Sequence, residues 1–143
     1  MRFGTRFSAS ACAVAALLSG AAAARAGDDA PADCSNAVTQ TDMNICADRD
    51  FQAADKELNA VYKKARAAMA ASDAELDEAL KGAEKALLKA QRAWVDYRDG
   101  ECEAEGFQAR GGSMEPMLVS GCRATLTRQR TKELKQLSEG LGN

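Results

Sequence analysis

The chain contains no histidine. This absence removes the commonest general base, and with it the usual serine and cysteine triads. It also takes away a favoured nitrogen ligand of zinc, and no CxxC pair stands in its place. GxSxG, HExxH and phosphate-cradling glycine loops are missing too. Aromatic residues make up only 5% of the chain, with a single tryptophan. No run of alternating β-branched residues announces a strand. After residue 26, no stretch is long and apolar enough to span a bilayer. One acidic arrangement survives these exclusions. Asp96 and Asp99 stand i, i+3 in a helical stretch, and Glu101, Glu103 and Glu105 follow. Paired carboxylates hydrolyse glycosides when they flank a cleft, whereas acids along a helix face are ordinarily just solvated. The sequence is therefore expected to hold no catalytic centre, no metal and no cofactor.

What is present begins with an export signal. Arg2 and Arg6 give a basic start, "SASACAVAALLSGAAAA" a short apolar stretch, and "ARA" a small-x-small cleavage pattern between Ala26 and Gly27. Residues 1–26 read as a signal peptide, residues 27–38 as a polar N-terminal arm, and residues 39–139 as one helical domain. The protein is expected outside the cytoplasm, periplasmic or secreted. Loss of Arg2, Arg6 and Arg25 with the signal moves the formal net charge from −2 to −5. That balance disfavours nucleic acid, whose phosphates need a basic face, and suits a basic protein partner. Cys12 leaves with the signal, so Cys34, Cys46, Cys102 and Cys122 remain, an even number in an exported chain. Two disulfides are expected. Cys34–Cys46 with Cys102–Cys122 closes two local loops and is preferred. Crossed pairings, including Cys46–Cys122, stay open.

Helical periodicity accounts for most of the rest. Thr39 and Asp42 form a near capping box, followed by an apolar face through Met43, Ala47, Phe51, Ala54, Leu58, Val61, Ala65 and Met69. "SDAE" places a second helix start at Ser72, with Leu76, Leu80, Ala83, Leu87, Ala90, Trp94 and Tyr97 as its face and Gly82 as an internal weak point. "EGFQARGGS" reads as a loop, and Ser113 as the cap of a third helix with Pro116 in its first turn. The third face runs through Leu118, Cys122, Leu126, Leu134, Leu137 and Leu141. The expected fold is all-α: a small antiparallel three-helix bundle stapled by two disulfides. Its large core residues are Phe51, Leu58, Val61, Leu87, Trp94, Tyr97, Leu126 and Leu134.

"AQRAWVDYRDGEC" draws the eye, because Trp94, Tyr97 and Arg98 share one helical side and such residues dominate binding hot spots. The stripe continues from Leu76, however, so Trp94 and Tyr97 read as core, with Arg98 covering them or pairing with Asp42 or Asp48. The binding surface is expected just downstream, in a loop stapled at its base by cysteine and carrying Glu103, Glu105, Phe107, Gln108, Arg110 and, nearby, Glu115.

Taken in order, Cys34, "TQTDMNICA", "ADKELNAVY", "AQRAWVDYRD", Cys102, "GGS", Cys122 and "LTRQRTKEL" resemble the LprI-like lysozyme inhibitor family of small exported bacterial domains. The resemblance spans Cys34 to Leu137. It implies a lysozyme as the partner, and steric occlusion of the muramidase cleft, which needs no chemistry, is the expected mechanism. A non-inhibitory interaction or structural module of the cell envelope is the alternative.

Overall fold

Three helices carry residues 32–140, the part of the chain described by a computed structural model. They are α1 (Gln40–Ala74), α2 (Ala83–Gly106) and α3 (Glu115–Glu139). Single 3₁₀ turns, Glu78–Leu80 and Phe107–Ala109, lie in the two connections. The expected signal peptide, the first part of the arm and Leu141 fall outside the described residues. No helix among those described is long and apolar enough to cross a membrane.

Thr39 caps α1 as its sequence suggests: its hydroxyl accepts from the Asp42 N–H at 3.1 Å and donates to the Asp42 carboxylate at 2.7 Å. The far end differs from the sequence reading. α1 runs on through Ser72, and the second helix starts eleven residues later than Ser72, at Ala83. α1 ends two residues beyond Ser72, at Ala74, and Gly82 ahead of α2 adopts a φ of +143°, a conformation that a side chain would strain. Gly82 is thus the boundary of α2 and not a weak point within it. Asp73 then caps α2 from outside. Its carboxylate accepts the N–H groups of Gly82, Ala83 and Glu84 at 2.9, 2.9 and 3.1 Å, satisfying donors that a helix start leaves orphaned. Leu76 and Leu80 consequently sit in the connection, 40% and 67% exposed, and not on the face of α2.

Cross-helix pairs fix the directions. Asp55–Arg98 and Arg66–Glu84 run α1 and α2 antiparallel. Cys102–Cys122 and Gln91–Arg130 do the same for α2 and α3. Asp50–Arg128 and Glu57–Lys135 share one sequence offset of 78, so α1 and α3 lie parallel in register. α3 is the more extensive neighbour of α1, exceeding the hairpin partner α2.

The core is thin. Leu58, Val61, Ala65, Leu87 and Leu134 form its buried centre, with Tyr62, Met69 and Trp94 packed half-buried around it. Full burial of each large aliphatic contributes about 1.5–3 kcal/mol, and few are present. α3 buries Ala124, Thr127, Thr131 and Leu134. This heptad-like 3, 4, 3 spacing is rotated from the expected leucine face. Leu126 is half-buried and Leu137 is 42% exposed. Two threonines can occupy the seam because both are satisfied. Thr131 donates to the Thr127 carbonyl at 2.8 Å, and the Thr127 hydroxyl meets the Arg98 guanidinium at 3.5 Å.

Candidate functional site

The "RAWVDYRD" segment divides by helical phase. Trp94, Arg98 and Cys102 face inward, while Tyr97, Glu101 and Glu105 form an outward stripe at i, i+4, i+8. Tyr97 is 55% exposed and Arg98 only 7%, so the expected core tyrosine and covering arginine exchange roles. The planar guanidinium takes the inward position. It lies between the rings of Phe51 and Trp94, 5.1 and 5.2 Å from their centroids. Its charge is met by Asp99 at 2.9 Å and Asp55 at 3.2 Å, not by Asp42 or Asp48. Phe51 and Trp94 are half-buried in the walls of this sandwich.

The expected binding loop is shorter than its sequence suggests, because α2 continues beyond Cys102 to Gly106. Glu103 and Glu105 are therefore helical, and only Phe107 to Met114 connect α2 with α3. Gly106 marks a close approach of the two helices: a Cβ there would lie 2.5 Å from Val119 Cγ2. The connection is braced at several points. Cys102–Cys122 closes its base with Cα atoms 5.4 Å apart. Arg110 stacks on Phe107, 4.5 Å from the ring centroid, and pairs with Glu115 at 2.7 Å. Glu115 also accepts the Gly111 N–H at 2.8 Å, and this bond, with Arg110, holds its carboxyl below the ordinary carboxylate value. Asn44 on α1 donates to the Ser113 carbonyl at 2.9 Å. Ser113 is thereby a tether to α1, and Met114, not Ser113, takes the cap position of α3. Phe107, Gln108 and Arg110 are exposed at the tip. The N-terminal arm is fixed at the same end of the bundle, by Cys34–Cys46 and by Arg49 donating to the Ala32 carbonyl at 2.9 Å.

An open groove of about 540 Å³ adjoins this end. Tyr97, Glu101 and Glu105 line it from α2, Met117, Leu118, Gly121 and Leu126 from α3, and Ala47 and Asp50 from α1. Glu105 is the only residue it shares with the loop expected from sequence. Tyr97, Glu101 and Gly121 escaped that expectation, although counting in fours from Glu105 back through α2 reaches Glu101 and Tyr97.

Charge is unevenly distributed along the bundle. All the lysines except Lys56, which sits at the middle of α1, lie in the half opposite the disulfides: Lys63 and Lys64 on α1, Lys81, Lys85 and Lys89 before and within early α2, and Lys132 and Lys135 on late α3. In the disulfide half, Arg98, Arg110 and Arg123 are taken up by Asp55, Asp99 and Glu115. Asp96, Glu101, Glu103 and Glu105 form no ion pair among the described residues. The outcome is a negatively charged end with a braced turn, separately exposed Tyr97 and Phe107 rings, and an apolar-floored groove. Among the described residues no cluster of cysteine and acidic side chains is arranged to hold a metal ion. Such a surface suits recognition of a cationic macromolecule.

Residues 31–134 match the model of a family described as lysozyme inhibitor LprI. A protein of Rhizobium meliloti (strain 1021), described only as uncharacterized, is 59% identical over 138 residues, which cover 94% of this chain and 99% of that protein. No solved structure matches the chain.

Proposed function

Because the chain belongs to the lysozyme inhibitor LprI family, we propose that it is exported, binds a lysozyme and blocks the muramidase cleft by occupying it. The observation that carries this reading is the acidic, disulfide-braced end of the bundle on a family member. Lysozymes of the familiar types are basic proteins, and complementary charge favours encounter and correct orientation. A connection already fixed by Cys102–Cys122, Glu115 and Asn44 loses little freedom on docking, so less of the contact energy is spent on ordering it. Occlusion requires no bond-making, in keeping with the inhibitory character of the family.

The test is direct. Residues 27–143, added at near-stoichiometric amounts, should slow the clearing of cell-wall suspensions by at least one of the chicken-, goose- or invertebrate-type lysozymes, and raised salt should weaken the effect. Undiminished clearing by all three would overturn the reading and leave the non-inhibitory envelope module.

A further inference from the structure

We infer that the groove beside Gly121 seats a basic side chain projecting from the cationic partner, with Tyr97 flanking it and Glu101 and Glu105 pairing with its charge. The inference rests on the proposed basic partner and names where on the bundle that partner is gripped.

Three independent observations converge on this groove. The first is Gly121 itself. It lies inside α3, where glycine weakens a helix relative to alanine, and no packing demands it, because a Cβ there would meet nothing within 4 Å. Gly106 in contrast is enforced by Val119. What the missing side chain at Gly121 provides is open space in the groove.

The second is the stripe on α2. Glu101 and Glu105 stand i, i+4, a spacing at which like charges repel. Neither is paired with a cation among the described residues. Asp50, on the opposite wall, is already paired with Arg128. The unrelieved charge is therefore on the α2 wall, and an incoming cation removes a repulsion as well as gaining an ion pair.

The third is the match between floor and rim. Met117, Leu118 and Leu126 offer apolar surface for the alkyl stem of a lysine or arginine, whose charged head stays at the wet rim. Tyr97, 55% exposed, presents an aromatic ring beside that position. A purely apolar ligand would bury the two glutamates unpaired, and an anion would meet them directly, so charge selects the occupant.

The experiment uses residues 27–143 labelled with nitrogen-15 and a tetra-arginine peptide as the probe. Amide shifts confined to Tyr97, Glu101, Glu105 and Gly121 support the inference. Gly121→Leu, which fills the groove, and Glu101→Gln/Glu105→Gln, which leaves its shape intact, should each weaken peptide binding about tenfold or more, the size of a lost hot-spot contact. For any lysozyme that the wild type inhibits, the same variants should weaken inhibition by a similar factor. Melting temperature checks the fold of Gly121→Leu, and the exposed double glutamine variant carries the test if that protein is unstable. Shifts centred on Phe107 to Glu115, shifts spread over all acidic residues, no shifts, or unchanged binding in both variants overturn the inference. So does concentration-dependent self-association abolished by these variants, which would identify a second copy as the occupant. If no lysozyme is inhibited while the peptide still seats beside Gly121, the functional reading fails and the groove stands. If inhibition persists with both variants, the groove fails and the function stands.

Discussion

At the scale of single residues, two neighbours divide the energetics. Arg98 is buried, stacked between two rings and paired with two carboxylates, while the adjacent Tyr97 faces outward. Arg98→Ala removes the stack and strands Asp55 and Asp99. Breaking a fully buried pair costs about 3–5 kcal/mol, but Asp55 and Asp99 are 37% and 40% exposed and can recover water. A loss of about 2 kcal/mol is expected in urea unfolding. Tyr97→Ala should change stability by no more than about 0.5 kcal/mol, the usual range for surface positions, while leaving its effect to appear in partner binding. Equal losses for the two variants would contradict the assignment of inner and outer stripes. The sequence made this pair hard to read because Trp94 reaches Tyr97 by a step of three and Arg98 by a step of four. Hydrophobicity favours the tyrosine. Cys102, four residues after Arg98, favours the arginine, and only the surrounding Phe51, Asp55 and Thr127 decide the matter. Gly106 provides a third residue-scale expectation. Gly106→Ala gains helix propensity but forces Val119 aside, and overpacking of this kind costs about 1–3 kcal/mol, so the melting temperature should fall.

At the scale of elements, the helices themselves are legible and their junctions are not. Thr39 announces α1 because its partner, Asp42, is three residues away. The start of α2 is hidden because its cap, Asp73, is nine to eleven residues upstream of the N–H groups it accepts. A local search for capping patterns finds Ser72 instead. The bonds from Gly82, Ala83 and Glu84 hold the Asp73 carboxyl below its ordinary value of 3.8. A depressed folded-state value means that this stabilisation is complete above the unfolded-state value and is lost as pH falls through the lower, folded-state one. Asp73→Asn should therefore lower the melting temperature at neutral pH and by progressively less as the medium is acidified below 3.8. A constant difference across that range would mean that the carboxylate charge plays no part. The second junction behaves similarly. Glu115 reads from sequence as part of the binding surface, yet it accepts from Gly111 and Arg110 and closes the turn. Glu115→Gln should accelerate hydrogen exchange at Gly111 while sparing the core amides around Leu58 and Leu134.

At the scale of the whole molecule, a thin core is supplemented by two covalent staples of different reach. Cys34–Cys46 ties the arm to α1, while Cys102–Cys122 joins two helices on either side of the braced turn. Loops of this size are stabilised by about 3 kcal/mol per bridge. Because Cys102–Cys122 joins two helices of the bundle whereas Cys34–Cys46 only ties the arm to α1, Cys102→Ser/Cys122→Ser should lower the melting temperature more than Cys34→Ser/Cys46→Ser, whose effect should appear mainly as faster exchange in the arm. The composition of the three helices could be read in advance, but the parallel register of α1 and α3 could not, because Asp50–Arg128 and Glu57–Lys135 are alike only once both helices are in place. One consequence follows from the lysine-rich half lying opposite the carboxylate-rich half. The bundle is an electric dipole along its own axis, and near a positively charged body it experiences a torque as well as an attraction. Rotational diffusion is biased before contact, so a larger share of collisions arrives with the disulfide end leading. Ionic strength collapses that field over a distance of about 10 Å at 0.1 M. Stopped-flow association with a cationic partner should slow steeply with added salt while dissociation changes little, so that the lysines farthest from the interface help to set the speed of capture without touching what is captured.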